Sequence, residues 1–253
     1  MSYMNGNQEV FDNKSQNKEH SSHSGTLSFA RVFGYMTIGL IITFGVAVLL
    51  GFIYTVTGLT DNSGAFNGVT LGITIGAAIA IIILTFVMAS RVLKSDKSLV
   101  IPSIIYVSIF GVMLSPLTIV VPWQILALAL GLTTSIFLLI TLIALLTKGR
   151  VGGIALLAMG LFFGAGIVAL FSLIFIWANP AVGATMVWIC DFAIFGAFML
   201  ISIVDVARIK QITDAGQMTP NLELYCAITI YTDFIYLLVR LIYYLMIIYA
   251  RNR

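Results

Sequence analysis

Seven long apolar runs decide what this chain can fold into. They occupy residues 32–56, 69–89, 99–121, 125–147, 151–177, 184–204 and 222–250. A helix needs roughly 20 apolar residues to cross a bilayer, and every run is at least that long. Inside lipid no water is present to satisfy backbone N–H and C=O groups, so a spanning segment must bond internally. Helices do this within one segment, and the runs lack the alternation of a barrel strand. The fold class is therefore all-α integral membrane, with seven transmembrane helices. Only 9% of the 253 residues are charged, against roughly 25% in a soluble domain.

Residues 1–28 differ sharply from the rest. They are rich in Asn, Ser, Gln and Lys and hold no apolar core, so they read as a disordered polar tail and not a signal peptide. The seven-helix domain takes residues 29–253. His20 and His23 both fall in the tail and read as solvated side chains, although the tract is also a weak metal-binding pattern. Cys190 and Cys226 lie in or beside apolar runs and read as small packing residues. Ser115-Pro116 interrupts the third run and predicts a bend there. The fifth run carries Gly152, Gly153, Gly160, Gly164 and Gly166, which predict a small-residue face.

Positive charge sets the expected orientation. With seven spans, one side receives Lys14, Lys18, Arg31, Arg91, Lys94, Lys97, Lys148, Arg150, Arg208 and Lys210. The other receives only Arg251 and Arg253. The N-terminus is expected in the cytoplasm and the C-terminus outside. The net charge of +3 is scattered over loops and forms no basic patch, so no nucleic-acid partner is expected.

Beyond the first turn of each span, Asp191, Asp233 and Arg240 lie inside a span, and Asp205 lies at the end of the sixth. An Asp or Arg at a span centre costs about 2.5 to 3.5 kcal/mol, so each needs a partner away from lipid. Asp233 sits near the middle of the seventh span and Asp205 towards the loop end of the sixth. Antiparallel neighbours can bring them together if the sixth span continues past Asp205. Two carboxylates in reach of one another share a proton in preference to both ionising. Once deprotonated, they offer oxygen ligands to a hard cation such as Ca2+. The alternative is that each only fixes helix packing. Arg240 lies about 10 Å along the axis from Asp233, too far for a direct pair. It can meet an acid on another helix or extend towards the interface. Asp191 lies about 21 Å from Asp205 on a similar face and either continues an acidic track or serves packing.

Four stretches carry a resemblance to the Bax inhibitor-1 family. They are Val32-Phe33-Gly34-Tyr35-Met36-Thr37-Ile38-Gly39-Leu40, Gly111-Val112-Met113-Leu114-Ser115-Pro116-Leu117, Ile203-Val204-Asp205-Val206-Ala207-Arg208-Ile209, and Tyr231-Thr232-Asp233-Phe234-Ile235-Tyr236-Leu237-Leu238-Val239-Arg240-Leu241. The resemblance covers about residues 30–250, and the last stretch is the most specific. It implies six helices around a central seventh, in a bacterial-type member resident in the plasma membrane. It also implies a pH-sensitive cation leak, notably of Ca2+, with Asp205 and Asp233 as pH sensor and metal-contacting pair. Arg91 is the candidate for the basic residue that some members pair with these acids. The expected company is the bilayer, Ca2+, protons and a possible membrane-protein partner, with no cofactor and no enzymatic activity.

Two other classes compete. An intramembrane aspartyl protease also places one Asp on each of two consecutive spans, but its second Asp follows glycines. Here Ile230-Tyr231-Thr232 precede Asp233. A pure interaction protein, regulating a membrane protease or a stress or death pathway, is compatible with the same sequence.

Overall fold

The computed structural model describes residues 5–57, 68–92, 99–147, 151–178 and 180–251. The polar loops at 61–64, 94–97 and 148–150 and the turn at Asn179 lie outside the described residues, as do the side chains of His20 and His23. The helices are α1 (Asn5–Val56), α2 (Gly68–Val92), α3 (Val100–Leu114), α4 (Leu117–Val120), α5 (Trp123–Leu146), α6 (Val151–Ala178), α7 (Pro180–Asp214) and α8 (Pro220–Arg251). Among the described residues there is no strand. Seven segments are long and apolar enough to cross a membrane: Ser28–Val56, Thr70–Val92, Val100–Val120, Trp123–Leu146, Gly152–Leu173, Thr185–Asp214 and Pro220–Arg251. The backbone of α1 is helical from Asn5, in the stretch expected as a disordered tail, and its apolar crossing begins at Ser28.

The third crossing is two helices, α3 and α4, broken at Ser115-Pro116. Proline has no N–H to offer the carbonyl four residues back, which here is Val112. The Ser115 hydroxyl takes over that carbonyl at 2.7 Å, and the Ser115 N–H reaches it at 3.3 Å. One turn on, the Thr118 hydroxyl donates to the Ser115 carbonyl at 2.7 Å. The Val112 and Ser115 carbonyls at the bend therefore both keep donors.

The α7 helix runs nine residues past Asp205, to Asp214. Val206, Ala207 and Ile209 are buried there, so the last turns are held by packing. The helix stops at Gly216, whose φ of +67° is a conformation few other residues adopt cheaply. The Gly216 N–H bonds the Thr213 carbonyl, and the Gln217 N–H bonds the Ile212 carbonyl. This pair of bonds is the Schellman ending. It gives a tight return into α8, which then lies antiparallel to α7.

The α8 helix is the centre of the bundle. It packs against α1, α2, α3, α5 and α7. Ile230, Tyr231 and Leu237 on it are almost fully enclosed. Lipid tails are as apolar as leucine, so close packing and polar contacts must hold such a bundle. Close packing is plain at the α1–α3 crossing. A methyl at Gly111 would lie 2.7 Å from the Thr43 carbonyl oxygen and from Val46 Cβ. Thr43 supplies the polar contact. Its hydroxyl lies 2.9 Å from the Gly39 and Val107 carbonyls and 2.6 Å from the Tyr231 hydroxyl. A carbonyl can only accept, so Thr43 donates to these and Tyr231 donates to Thr43. One buried threonine thus ties α1, α3 and α8.

The outer surface is apolar throughout. Phe52 on α1, Phe86 on α2 and Leu156 on α6 are each at least 70% exposed. Such side chains suit lipid and not water. The α6 helix is the most peripheral crossing and packs mainly on α7. Its enclosed small residues are Ala158 and Ala165, while Gly152, Gly153, Gly160, Gly164 and Gly166 have open space where a side chain would stand.

Candidate functional site

Glu223, Asp233 and Arg240 of α8 fall on one stripe. Glu223, Cys226, Ile230, Asp233, Leu237, Arg240 and Tyr244 follow alternating steps of three and four residues. At 3.6 residues per turn these steps stay within about 100° of one another around the helix. On α7, Asp191, Phe195, Phe198, Ser202, Asp205 and Ile209 form the matching stripe. The two helices run antiparallel, so each step along one meets a step back along the other. The result is a single α7–α8 seam with three polar stations.

The middle station holds the two carboxylates singled out from sequence. Asp233 is 8% exposed and lies within electrostatic range of Asp205, beside the Ser202 hydroxyl. Its Oδ2 is buried and has no hydrogen-bond partner. Buried polar atoms are nearly always bonded, so this oxygen marks a place where a proton or a cation would be held. Asp205 is half-buried, with Arg208 one turn away on the same helix. Ser202 donates to the Phe198 carbonyl of its own helix at 3.0 Å. Two carboxylates and a hydroxyl are fewer oxygens than the six to eight that Ca2+ prefers. Among the described residues no three His, Cys, Asp or Glu side chains gather as a metal group. This donor set falls short of a complete Ca2+ coordination shell.

A second station lies nearer the α7 N-terminus and the α8 C-terminus. Arg240 forms an ion pair with Asp191 across the seam, so Arg240 meets its acid on the neighbouring helix. The Tyr244 hydroxyl donates to the other Asp191 oxygen at 2.7 Å. Arg240 Nε donates to the Tyr236 hydroxyl at 3.3 Å, and the guanidinium lies 5.7 Å from the centre of that ring. Rings enclose the pair. Phe198 stacks on Tyr236 at 3.7 Å, while Phe192 and Phe195 pack against Tyr244. Aromatic packing lowers the local dielectric and makes the pair stronger than one in water.

The third station, at the loop end, joins α8 to α1. Glu223 is 3% exposed in the first turn of α8, and its Oε1 lies 3.2 Å from Arg31 Nη2. The same Arg31 nitrogen donates to Ser28 Oγ at 3.0 Å. One turn along α8, the Cys226 thiol lies within electrostatic range of both Glu223 and Asp205. The loop-end station is therefore continuous with the middle one.

Arg91 closes α2 and takes part in neither ion pair found among the described residues. Sequence reasoning passed over Arg31, Glu223 and Tyr244. The stepping of α8 outward from Asp233 contains the signal for the last two, since both share its stripe.

The family model described as "Inhibitor of apoptosis-promoting Bax1" matches residues 26–249. No curated protein and no solved structure matches the chain.

Proposed function

Since the chain belongs to the Bax inhibitor-1 family, we propose that this integral membrane protein is a pH-sensitive cation leak, passing Ca2+ among other ions, gated by Asp205 and Asp233. The observation that carries this reading is the enclosed, unpartnered Oδ2 of Asp233 next to a second carboxylate. A proton held on one of the two acids leaves the pair with a single negative charge and lets α7 stay packed against α8. Losing that proton sets two negative charges against each other across the seam. Two unit charges about 6 Å apart at an effective dielectric of about 20 repel by about 3 kcal/mol. That is enough to shift a two-state equilibrium by more than a factor of about 100. The deprotonated pair also attracts a cation, so separation and permeation favour one another.

In this reading the Glu223 end faces the cytoplasm, following the bias of Lys and Arg, and the membrane is a bacterial plasma membrane. The pair acts on ions and performs no catalysis. The glycine-free approach to Asp233 supports that choice over proteolysis, because a bulky Tyr231-Thr232 segment leaves no room for a substrate backbone. The family's printed description favours a second reading, in which the chain restrains a partner membrane protein. The exposed face of α6 is the surface such a partner would meet.

The test is Ca2+ entry into liposomes that contain the purified full chain, with Asp233→Asn in parallel. Entry in the wild type that changes in the variant supports the leak. Absence of entry in the wild type contradicts it and leaves the partner reading.

A further inference from the structure

Glu223 and Arg31 form an unequal pair. The Glu223 side chain is 4% exposed and the Arg31 side chain is 55% exposed. The acid is fixed in the first turn of the central helix. The base belongs to another helix and stands half in the surroundings. A carboxylate so enclosed cannot remain charged without a counter-ion. A half-exposed guanidinium can leave without a comparable penalty. Whatever replaces it must be positive, and a proton or a metal cation would serve.

The position of Glu223 gives that exchange a direction. It lies about 15 Å along α8 from Asp233, by helical rise. Cys226 lies between them along α8 and is in electrostatic range of both Asp205 and Glu223. The seam ends inward on the unpartnered Oδ2 of Asp233, which is more than nine-tenths buried. A cation taken up at Glu223 would have a further carboxylate ahead of it at each station.

Among the described residues, the groups tied to this region by contact or charge come from four helices. Helix α1 contributes Arg31. Helix α7 contributes Asp205 with Arg208 one turn further on, and α8 contributes Cys226. At the start of α3 the Leu99 N–H donates to Asn221 Oδ1, a neutral contact two residues before Glu223. Helix α2 ends in Arg91, which joins no ion pair among the described residues. Among the described residues, Arg31 is the cation paired with Glu223.

We propose that Glu223 is the residue through which a divalent cation enters the seam, and that Arg31 is a built-in counter-ion occupying this entry until a cation displaces it. The inference deepens the leak reading and rests on it. It makes helix α1 a regulator of ion entry, which neither carboxylate of the middle station requires.

The experiment compares Ca2+ entry into liposomes for wild type, Arg31→Lys, Arg31→Gln, Glu223→Gln and the Arg31→Gln/Glu223→Gln double variant. Arg31→Gln is expected to raise the initial rate severalfold and lower the Ca2+ concentration for half-maximal entry. Arg31→Lys keeps the charge and should stay near wild type. Glu223→Gln should slow entry and abolish the gain from Arg31→Gln in the double variant. A second measurement protects against misfolding: Ca2+ should raise the melting temperature of detergent-purified Arg31→Gln more than that of wild type. Wild-type entry that responds to Asp233→Asn, but not to any Arg31 or Glu223 variant, overturns this inference and spares the leak reading. A double variant as leaky as Arg31→Gln alone also overturns it. Absence of wild-type entry overturns both.

Discussion

Replacing Asp191 tests how the α7–α8 seam is held far from the middle carboxylates. The Asp191 side chain is 15% exposed and that of Arg240 is 29% exposed. Removing one member of a fully buried pair costs about 3 to 5 kcal/mol, whereas a surface pair contributes about 0 to 1. The intermediate burial places Asp191→Ala at about 2 kcal/mol for the stranded guanidinium. That value already allows for Tyr236, whose hydroxyl and ring still face Arg240. The Tyr244 phenol loses its acceptor as well, which adds about 1 kcal/mol. Asp191→Ala should therefore destabilise by about 3 kcal/mol. Asp191→Asn, which keeps an acceptor for Tyr244, should cost about 2 kcal/mol. Unfolding in mild detergent against rising SDS, followed by tryptophan fluorescence, gives these values. A double-mutant cycle with Arg240→Ala should return a coupling of about 1.5 kcal/mol. A loss below about 0.5 kcal/mol for Asp191→Ala, the range of an ordinary surface change, would refute the reasoning. So would a cycle that closes to zero.

Two further variants probe the packing that positions α8. Gly111→Ala places a methyl against the Thr43 carbonyl and Val46 and should destabilise by about 1 to 3 kcal/mol in the same unfolding assay. No loss there would mean that α1 and α3 are not in close contact. Tyr231→Phe removes the donor to Thr43 and should cost about 1 kcal/mol, because Thr43 retains its carbonyl partners. Thr43→Val should cost more than Tyr231→Phe, since it strands the Tyr231 hydroxyl inside the bundle.

Much of this architecture is legible in the residues because lipid is a strict solvent. Length and apolarity alone mark seven crossings, and Ser115-Pro116 marks the break in the third. The cost of charge in hydrocarbon singled out Asp191, Asp205, Asp233 and Arg240. Sequence could not decide where Arg240 finds its acid, because that depends on the register of α7 against α8. Gly216 and its two closing hydrogen bonds set that register. The end of α7 was also hidden, since Asp205 and Arg208 look like the start of a loop until Val206, Ala207 and Ile209 are seen buried. Arg31 and Glu223 escaped notice for the opposite reason. They stand at the ends of spans, where a charge is cheap and calls for no explanation. Only the burial of Glu223 shows that its charge is not solvated. Tyr244 was one tyrosine among several on α8, and its role follows from the stripe it shares with Asp233. Arg91 was placed near the acids by resemblance, and the fold sets it at the end of α2 outside both ion pairs.

The most direct measurement is Ca2+ entry into liposomes carrying the full chain, from about pH 6 to about pH 8, where small environmental effects move a titration. Wild type, Asp205→Asn and Asp233→Asn are compared at equal protein density. The retained proton predicts wild-type entry that rises with pH as the proton is lost and two negative charges remain. Asp233→Asn removes the buried carboxylate, so its entry should be nearly independent of pH, whereas Asp205→Asn keeps that carboxylate without its negative neighbour and should show a weaker pH response than wild type. The same pH profile in all three proteins would contradict the gate assigned to Asp205 and Asp233.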